Sequence, residues 1–292
     1  MPDLPKLALH EDVPLFREAV NFTAARTGFN PRLVEKDYFC TVLLAYLSGR
    51  GGEQLVFKGG TCLAKVHAGF YRLSEDLDFT IPLAVDASRT QRRQAAAATK
   101  EAMTQLAELA GAFTVTNPLT GANNSTQYNG TVEYESPTTG QPETILVEVS
   151  VREPLLMPPV SGQTRTLLLD PVGGKSIAPE IPVTCITMTE AMAEKFRAAL
   201  SRRDVAIRDF YDLDYAISRL GLDTADPRLV DMVRQKLAVP GNPPVNVSPE
   251  RLADLRRQLS TRLRTVLRAD EFKAFDLDQA LHHVTAMAER LA

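Results

Sequence analysis

Residues 54–81, QLVFKGGTCLAKVHAGFYRLSEDLDFTI, constrain the fold of this chain more than any other stretch. Leu55, Val56 and Phe57 make a short apolar run of the kind that forms a buried strand, and Lys58-Gly59-Gly60 breaks it. Thr61 then stands where a side chain caps a helix spanning residues 62–67. Two residues without side chains let the backbone approach an anion closely, and the free amides at a helix start attract it. Further on, residues 74–79 alternate polar and apolar. That period of two sets Asp76 and Asp78 on one side of a strand, with Leu77 and Phe79 packed behind. Two carboxylates so placed share a divalent cation, and their hard oxygens suit magnesium or manganese.

A glycine pair after a strand is most often a plain turn, and Asp-x-Asp is common in exposed strands. The order glycine turn, helix, loop, acid-bearing strand is the one in which nucleotidyltransferases of the DNA polymerase β type assemble a triphosphate site. Glu148 adds a third acid, inside the apolar run 145–151. A carboxylate in such a run is costly to bury unless a cation or partner meets it. If its strand lies beside the one carrying Asp76 and Asp78, Glu148 is a third metal ligand; if the strand is at an edge, Glu148 faces water.

The chain has 292 residues, 44% hydrophobic and 24% charged, enough for one large domain or two moderate ones. No apolar run approaches the roughly 18–20 residues of a membrane span, and residues 1–11 lack the basic and apolar regions of a secretion signal, so a cytoplasmic location is expected. A net charge of −3 argues against nucleic-acid binding by bulk electrostatics, while a local basic face remains compatible with it. Cys40, Cys62 and Cys185 have no paired spacing and sit among apolar neighbours, which suggests buried reduced thiols rather than disulfides or zinc ligands. His67 and the pair His282-His283 show no metal-binding spacing.

Proline at position 14 and the Asn30-Pro31 pair open two N-terminal helices, over 14–26 and 31–47. The second has a core face of Leu33, Tyr38, Val42, Leu43 and Tyr46 and contains the trio Glu35-Lys36-Asp37. Residues 88–112 favour one long helix, and 113–116, 126–135 and 144–151 read as strands of a mixed sheet. Six prolines between 154 and 182 mark a change of composition, read as a connection between domains with a short strand at 165–169. The domains expected are therefore 1–160, an α+β domain with N-terminal helices; 161–188, the proline-rich connection; and 189–292, helical. Helices are expected at 189–202, 209–220 (closed by Gly221), 227–236, 249–267 and 276–291, with a loop at 238–249. Lys195, on an apolar helix, could snorkel to a triphosphate, and Asp212, one turn from Arg208, could pair with that arginine or hold Lys195. Solvated surface roles are the ordinary alternative for both.

Four ordered segments resemble the AbiEii/AbiGii-type toxin nucleotidyltransferases, a family that includes the MenT toxins. They are Glu35-Lys36-Asp37-Tyr38, residues 57–63 (FKGGTCL), residues 72–78 (RLSEDLD), and Lys195 together with residues 208–213 (RDFYDL). The resemblance implies a polymerase-β-like nucleotidyltransferase domain joined to a helical C-terminal domain, acting as the toxin of a toxin–antitoxin or phage-defence pair. It implies that Gly59 and Gly60 with Asp76 and Asp78 hold triphosphate and metal, and that Lys195 and Asp212 are needed for activity. Thr61 stands where many members have serine and keeps the hydroxyl. Lys58, Gly59, Gly60 and Thr61 are thus the nucleotide-binding candidates; Asp76, Asp78 and Glu148 the metal ligands; and Asp76, Asp78, Lys195 and Asp212 the catalytic set.

By the same resemblance the substrates are a nucleoside triphosphate and RNA, with the tRNA acceptor end as the target, and a cognate antitoxin is the partner. Arg197, Arg202, Arg203 and Arg208 are candidates for an RNA-facing patch and equally for a solvated helix face. Transfer to a protein hydroxyl would use the same metal site, and a non-catalytic nucleotide sensor would bind without turnover. A phosphate on Ser74, two residues before Asp76, would place negative charge beside the metal site and inhibit.

Overall fold

Asp12 and Asn30 start the first two helices, each accepting a hydrogen bond from a backbone amide of the first turn, Leu15 and Arg32 respectively. These helices are α1 (Val13–Thr27) and α2 (Pro31–Arg50) in the computed structural model, which describes residues 7–292. The chain divides into two units, Met1–Ile186 and Thr187–Ala292.

In the first unit follow β1 (Val56–Lys58), α3 (Gly59–Cys62), β2 (Leu77–Thr80), α4 (Arg89–Ala95) and α5 (Ala97–Leu109). The long helix expected over 88–112 is broken in two at Ala96. Ser88 opens the first piece, accepting from the Gln91 amide, while the Gln91 side chain accepts from Ser88 N. Then come β3 (Thr114–Ala122), β4 (Gln127–Glu135), β5 (Pro142–Ser150), β6 (Val160–Thr164) and β7 (Ile181–Cys185). β3 runs six residues past the expected strand end at 116, because its pairing with β4 continues across two register shifts to Ala122 and Gln127.

The seven strands form one mixed sheet in the order β3-β4-β5-β2-β1-β7-β6. Two of its strands lie in the proline-rich stretch read as a connection. The short strand expected at 165–169 is instead β6, at Val160–Thr164, and Leu169 makes only an isolated bridge to Ser176. Pro182 is tolerated within β7 because β1 is short and pairs with β7 only through Phe57 and Cys185, leaving the proline side of the ladder open there.

One face of the sheet carries the core. Phe57, Phe79, Leu77, Val147, Val149, Ile145, Tyr128, Val132 and Tyr134 are all buried, and Phe39 of α2 stacks on Tyr134 with ring centroids 3.8 Å apart. Each buried aliphatic or aromatic side chain of this layer stabilises by roughly 1.5–3 kcal/mol. α2 is buried on more sides than an amphipathic surface helix: Glu35, Lys36 and Asp37 are buried along with Leu33 and Tyr38, while Val42 and Tyr46 are only half-buried.

The second unit is helical: α6 (Met188–Ser201), α7 (Ile207–Leu220), α8 (Pro227–Ala238), α9 (Pro249–Gln258), α10 (Ala269–Ala274) and α11 (Leu277–Leu291). Thr187 caps α6 through the Glu190 amide, two residues ahead of the expected Thr189. Gly221, with φ 71°, closes α7 in the left-handed region. The helix expected over 249–267 ends at Gln258 and passes through a wide π turn and a tight 3-10 turn to Val266. Phe196, Phe210, Leu213, Leu229, Val233, Val284 and Met287 form the core of this unit. Inside it Lys236 pairs with Glu190 at 2.8 Å, both side chains almost wholly buried.

Candidate active site

The glycine turn and the acid strand meet directly. Gly59 has φ 75°, a conformation that side chains disfavour, and a Cβ there would come within 2.7 Å of the Asp78 carboxyl carbon. Only a bare backbone fits against that carboxylate. At Gly60 a Cβ would lie 2.5 Å from a guanidinium nitrogen of buried Arg72 and 3.3 Å from Ser74 Oγ. The helix begins at Gly59, with Lys58 as the residue before it, so Thr61 does not cap it; the Thr61 hydroxyl donates instead to the Asp76 carbonyl. This bond ties the turn to the acid segment. α3 then widens into a π turn, Leu63–His67.

Strand register lines up the charged side chains. β1 and β2 are antiparallel with Lys58 opposite Asp78, and β2 and β5 are parallel with Asp78 opposite Glu148. β4 and β5 are antiparallel with Asn129 opposite Glu148. Lys58, Asp78, Glu148 and Asn129 therefore form one row across four strands spaced about 4.8 Å apart. All four are half-buried, whereas Leu77, Phe79, Val147 and Val149 on the opposite face are buried. Asp76, also half-buried, precedes β2 by one residue and shares the side of Asp78 by the period of two. β5 is an interior strand, which removes the edge-strand reading of Glu148. Asn129 went unnoticed in the sequence, because only register brings it to the row.

An ionic frame holds this region. Lys36 and Arg32 of α2 reach Glu75 at 3.1 and 3.2 Å, and Arg32 also binds Glu143 at 2.5 Å. Burial works against ionisation of Glu75, but the pull of Lys36 and Arg32 overcomes it and holds the carboxyl below its usual range. Asp37 receives Lys65 at 2.5 Å and the Leu167 amide at 2.7 Å, and Lys65 also donates to Thr41 at 2.8 Å. Lys36 and Asp37 thus tie α2 to Glu75, the neighbour of Asp76, and to the π turn that continues α3, while Glu35 accepts from the Thr138 amide and hydroxyl.

In the second unit Lys195 lies 2.8 Å from Asp212 and 2.7 Å from Asp209. Asp212 is fully buried, and its partner is Lys195, the second of the two pairings the sequence allowed. Asp209 was not singled out, although its spacing of three from Asp212 on a helix was the available signal. Arg202 and Arg203 are exposed and Arg197 and Arg208 half-buried, with Arg202 3.6 Å from Asp209. The structure thus gathers the glycine turn with Asp76, Asp78 and Glu148 in one unit, and Lys195 with Asp212 in the other.

A cavity of about 320 Å³ in the first unit is lined by Phe57, Phe79, Ser48, Glu53 and Thr184. Phe57 and Phe79 belong to the core face, so this space is not the carboxylate row. No helix among the described residues is long and apolar enough to cross a membrane.

The family described as nucleotidyl transferase AbiEii toxin, type IV toxin–antitoxin system, matches residues 42–286. Among solved structures, a candidate nucleotidyltransferase from H. pylori is similar over 90% of this chain and 96% of its own, with a TM-score of 0.52 and 14% identity. JHP933 from Helicobacter pylori is similar over 90% and 93%, with a TM-score of 0.49 and 14% identity. Comparison with curated proteins gives no match.

Proposed function

The chain belongs to the AbiEii family of nucleotidyltransferase toxins of type IV toxin–antitoxin systems, and from that membership we propose that its carboxylate row moves a nucleoside monophosphate from a triphosphate to RNA. The acceptor proposed is the 3′ end of tRNA, whose modification would block translation. The observation that supports this reading most is the seat of the Asp78 carboxylate, against the Gly59 backbone and beside Glu148 in one row.

Asp76, Asp78 and Glu148 offer only hard oxygens on a half-open face, a donor set that fits magnesium or manganese. Such an ion, when bound, would offset the charge of the phosphates and polarise the one under attack. The chain's own groups do the rest. The amides at Gly59, Gly60 and Thr61 cradle the triphosphate tail, and Lys58, opposite Asp78, adds a positive charge. The Thr61 side chain serves by holding the turn onto the Asp76 carbonyl. In the second unit Lys195 is held by Asp209 and Asp212, and the family resemblance is what assigns it a part in activity.

In the step proposed, the 3′ hydroxyl oxygen bonds to the α-phosphorus, the bond to the bridging oxygen breaks, and pyrophosphate leaves with that electron pair as the hydroxyl proton passes to solvent. Catalysis rests on positioning and charge compensation, with no covalent enzyme intermediate. A toxin of this class also implies an antitoxin, and co-expression with the adjacent gene is the natural search for it. Pyrophosphate release measured with each nucleotide and bulk tRNA tests the reading. The parent should turn over and Asp76→Ala should not; equal turnover in both would defeat it.

A further inference from the structure

Three side chains outside the carboxylate row converge: Cys62 of α3, His67 at the end of the π turn and Cys185 at the end of β7. Their ligand atoms all lie within 4.8 Å of one another, and among the described residues this is the one such trio of histidine, cysteine or acid. Both sulfurs belong to fully buried residues, while His67 is half-exposed. The local backbone is built for the approach. In an α-helix, positions five apart are rotated by about 140° and face different ways. The Ala68 amide instead bonds the Leu63 carbonyl five residues back, and this wider turn swings His67 round towards the side of Cys62.

From this geometry we propose that Cys62, His67 and Cys185 bind a zinc ion that pins β7 to the helix of the glycine turn. A tetrahedral zinc with Zn–S near 2.3 Å and Zn–N near 2.0 Å sets its ligand atoms about 3.5–4 Å apart, within a small side-chain shift of the arrangement present. Two thiolates and an imidazole are soft donors that select zinc over magnesium. His67 Nε2–H donates to the Ile186 carbonyl at 2.9 Å, the orienting contact typical of a metal-bound histidine, which leaves the lone pair on Nδ1. Water takes the fourth position, on the half-exposed side of His67.

The experiment is metal analysis of the full chain, stripped with chelator, loaded with zinc and dialysed, with the intense thiolate-to-cobalt absorption after cobalt loading as a second readout. About one zinc per chain is expected for the parent. His67→Ala, at a half-exposed position, and Cys185→Ser should each lose the zinc and the cobalt band while keeping the helical circular dichroism. Asp78→Asn should keep both, which separates this site from the nucleotidyl-transfer reading. Zinc absent from the loaded parent, zinc retained by folded His67→Ala or Cys185→Ser protein, zinc lost with Asp78→Asn, or a Cys62–Cys185 disulfide in protein handled with zinc would each overturn the proposal.

Discussion

Gly59 brings the backbone of the turn against the Asp78 carboxylate. A methyl group there must tolerate φ 75°, at a cost of about 1–2 kcal/mol, and must also displace the Asp78 carboxylate. Gly59→Ala should therefore fold yet lose about 100-fold or more in turnover, since misplacement by an ångström is enough for such a loss. Circular dichroism and pyrophosphate release together check it, and turnover within about threefold of the parent would contradict the placement. Ser74 lies against the same turn, with its Oγ 3.3 Å from the Gly60 Cβ position. Ser74→Glu, or a phosphate on the hydroxyl, should inhibit, while Ser74→Ala should remain active. Intact mass of toxin inhibited by co-expression with its genomic neighbour is the check; an unmodified Ser74 there would remove the regulatory idea. Thr61 shows where local reading stops. Its hydroxyl has the right chemistry for a cap, but the Asp76 carbonyl, brought in by β1–β2 pairing, takes the hydrogen bond.

Among the elements, α2 carries an ionic frame that sequence marks only as three adjacent charges. Removing the buried Asp37 carboxylate leaves the Lys65 ammonium in the interior without its closest counter-charge. Asp37→Ala should lower unfolding stability by roughly 3–5 kcal/mol in urea titration, and a loss below about 1 kcal/mol would contradict this role. Glu75 gives a pH signature. Its folded pKa lies below the ordinary value of 4.5, so its contribution is fully present above pH 4.5 and is lost as pH falls through the folded value. Between about pH 6 and 3 the parent should lose more thermal stability than Glu75→Gln, and parallel melting curves would contradict the pairing. The strand that holds Glu148 was legible from its apolar run, but its place beside Asp78 was not, because parallel pairing across seventy residues leaves no local trace. β6 and β7 were hidden for a different reason: six prolines signal a linker, although the residues of β7 alternate buried and exposed with Pro182 on an exposed position.

For the whole molecule, two units each hold part of the functional set that the sequence pointed to. The helical unit buries Asp212 with Lys195, and the α+β unit carries the acids and the glycine turn. With a net charge of −3, the RNA acceptor proposed above would have to be met by a local basic surface, for which exposed Arg202 and Arg203 are candidates. The ordered motifs made the fold class and the acid pair readable, because they are contiguous. Convergences across the chain, such as Cys62 with Cys185 or Lys58 with Glu148 through Asp78, depend on topology and needed the structure. The most direct test is a crystal of the full chain with manganese and a non-hydrolysable triphosphate, read by anomalous scattering. The account predicts a manganese peak at the oxygens of Asp78 and Glu148 with the phosphate tail on the amides of Gly59 and Gly60; a triphosphate bound away from that turn, or manganese absent from those carboxylates, would contradict it.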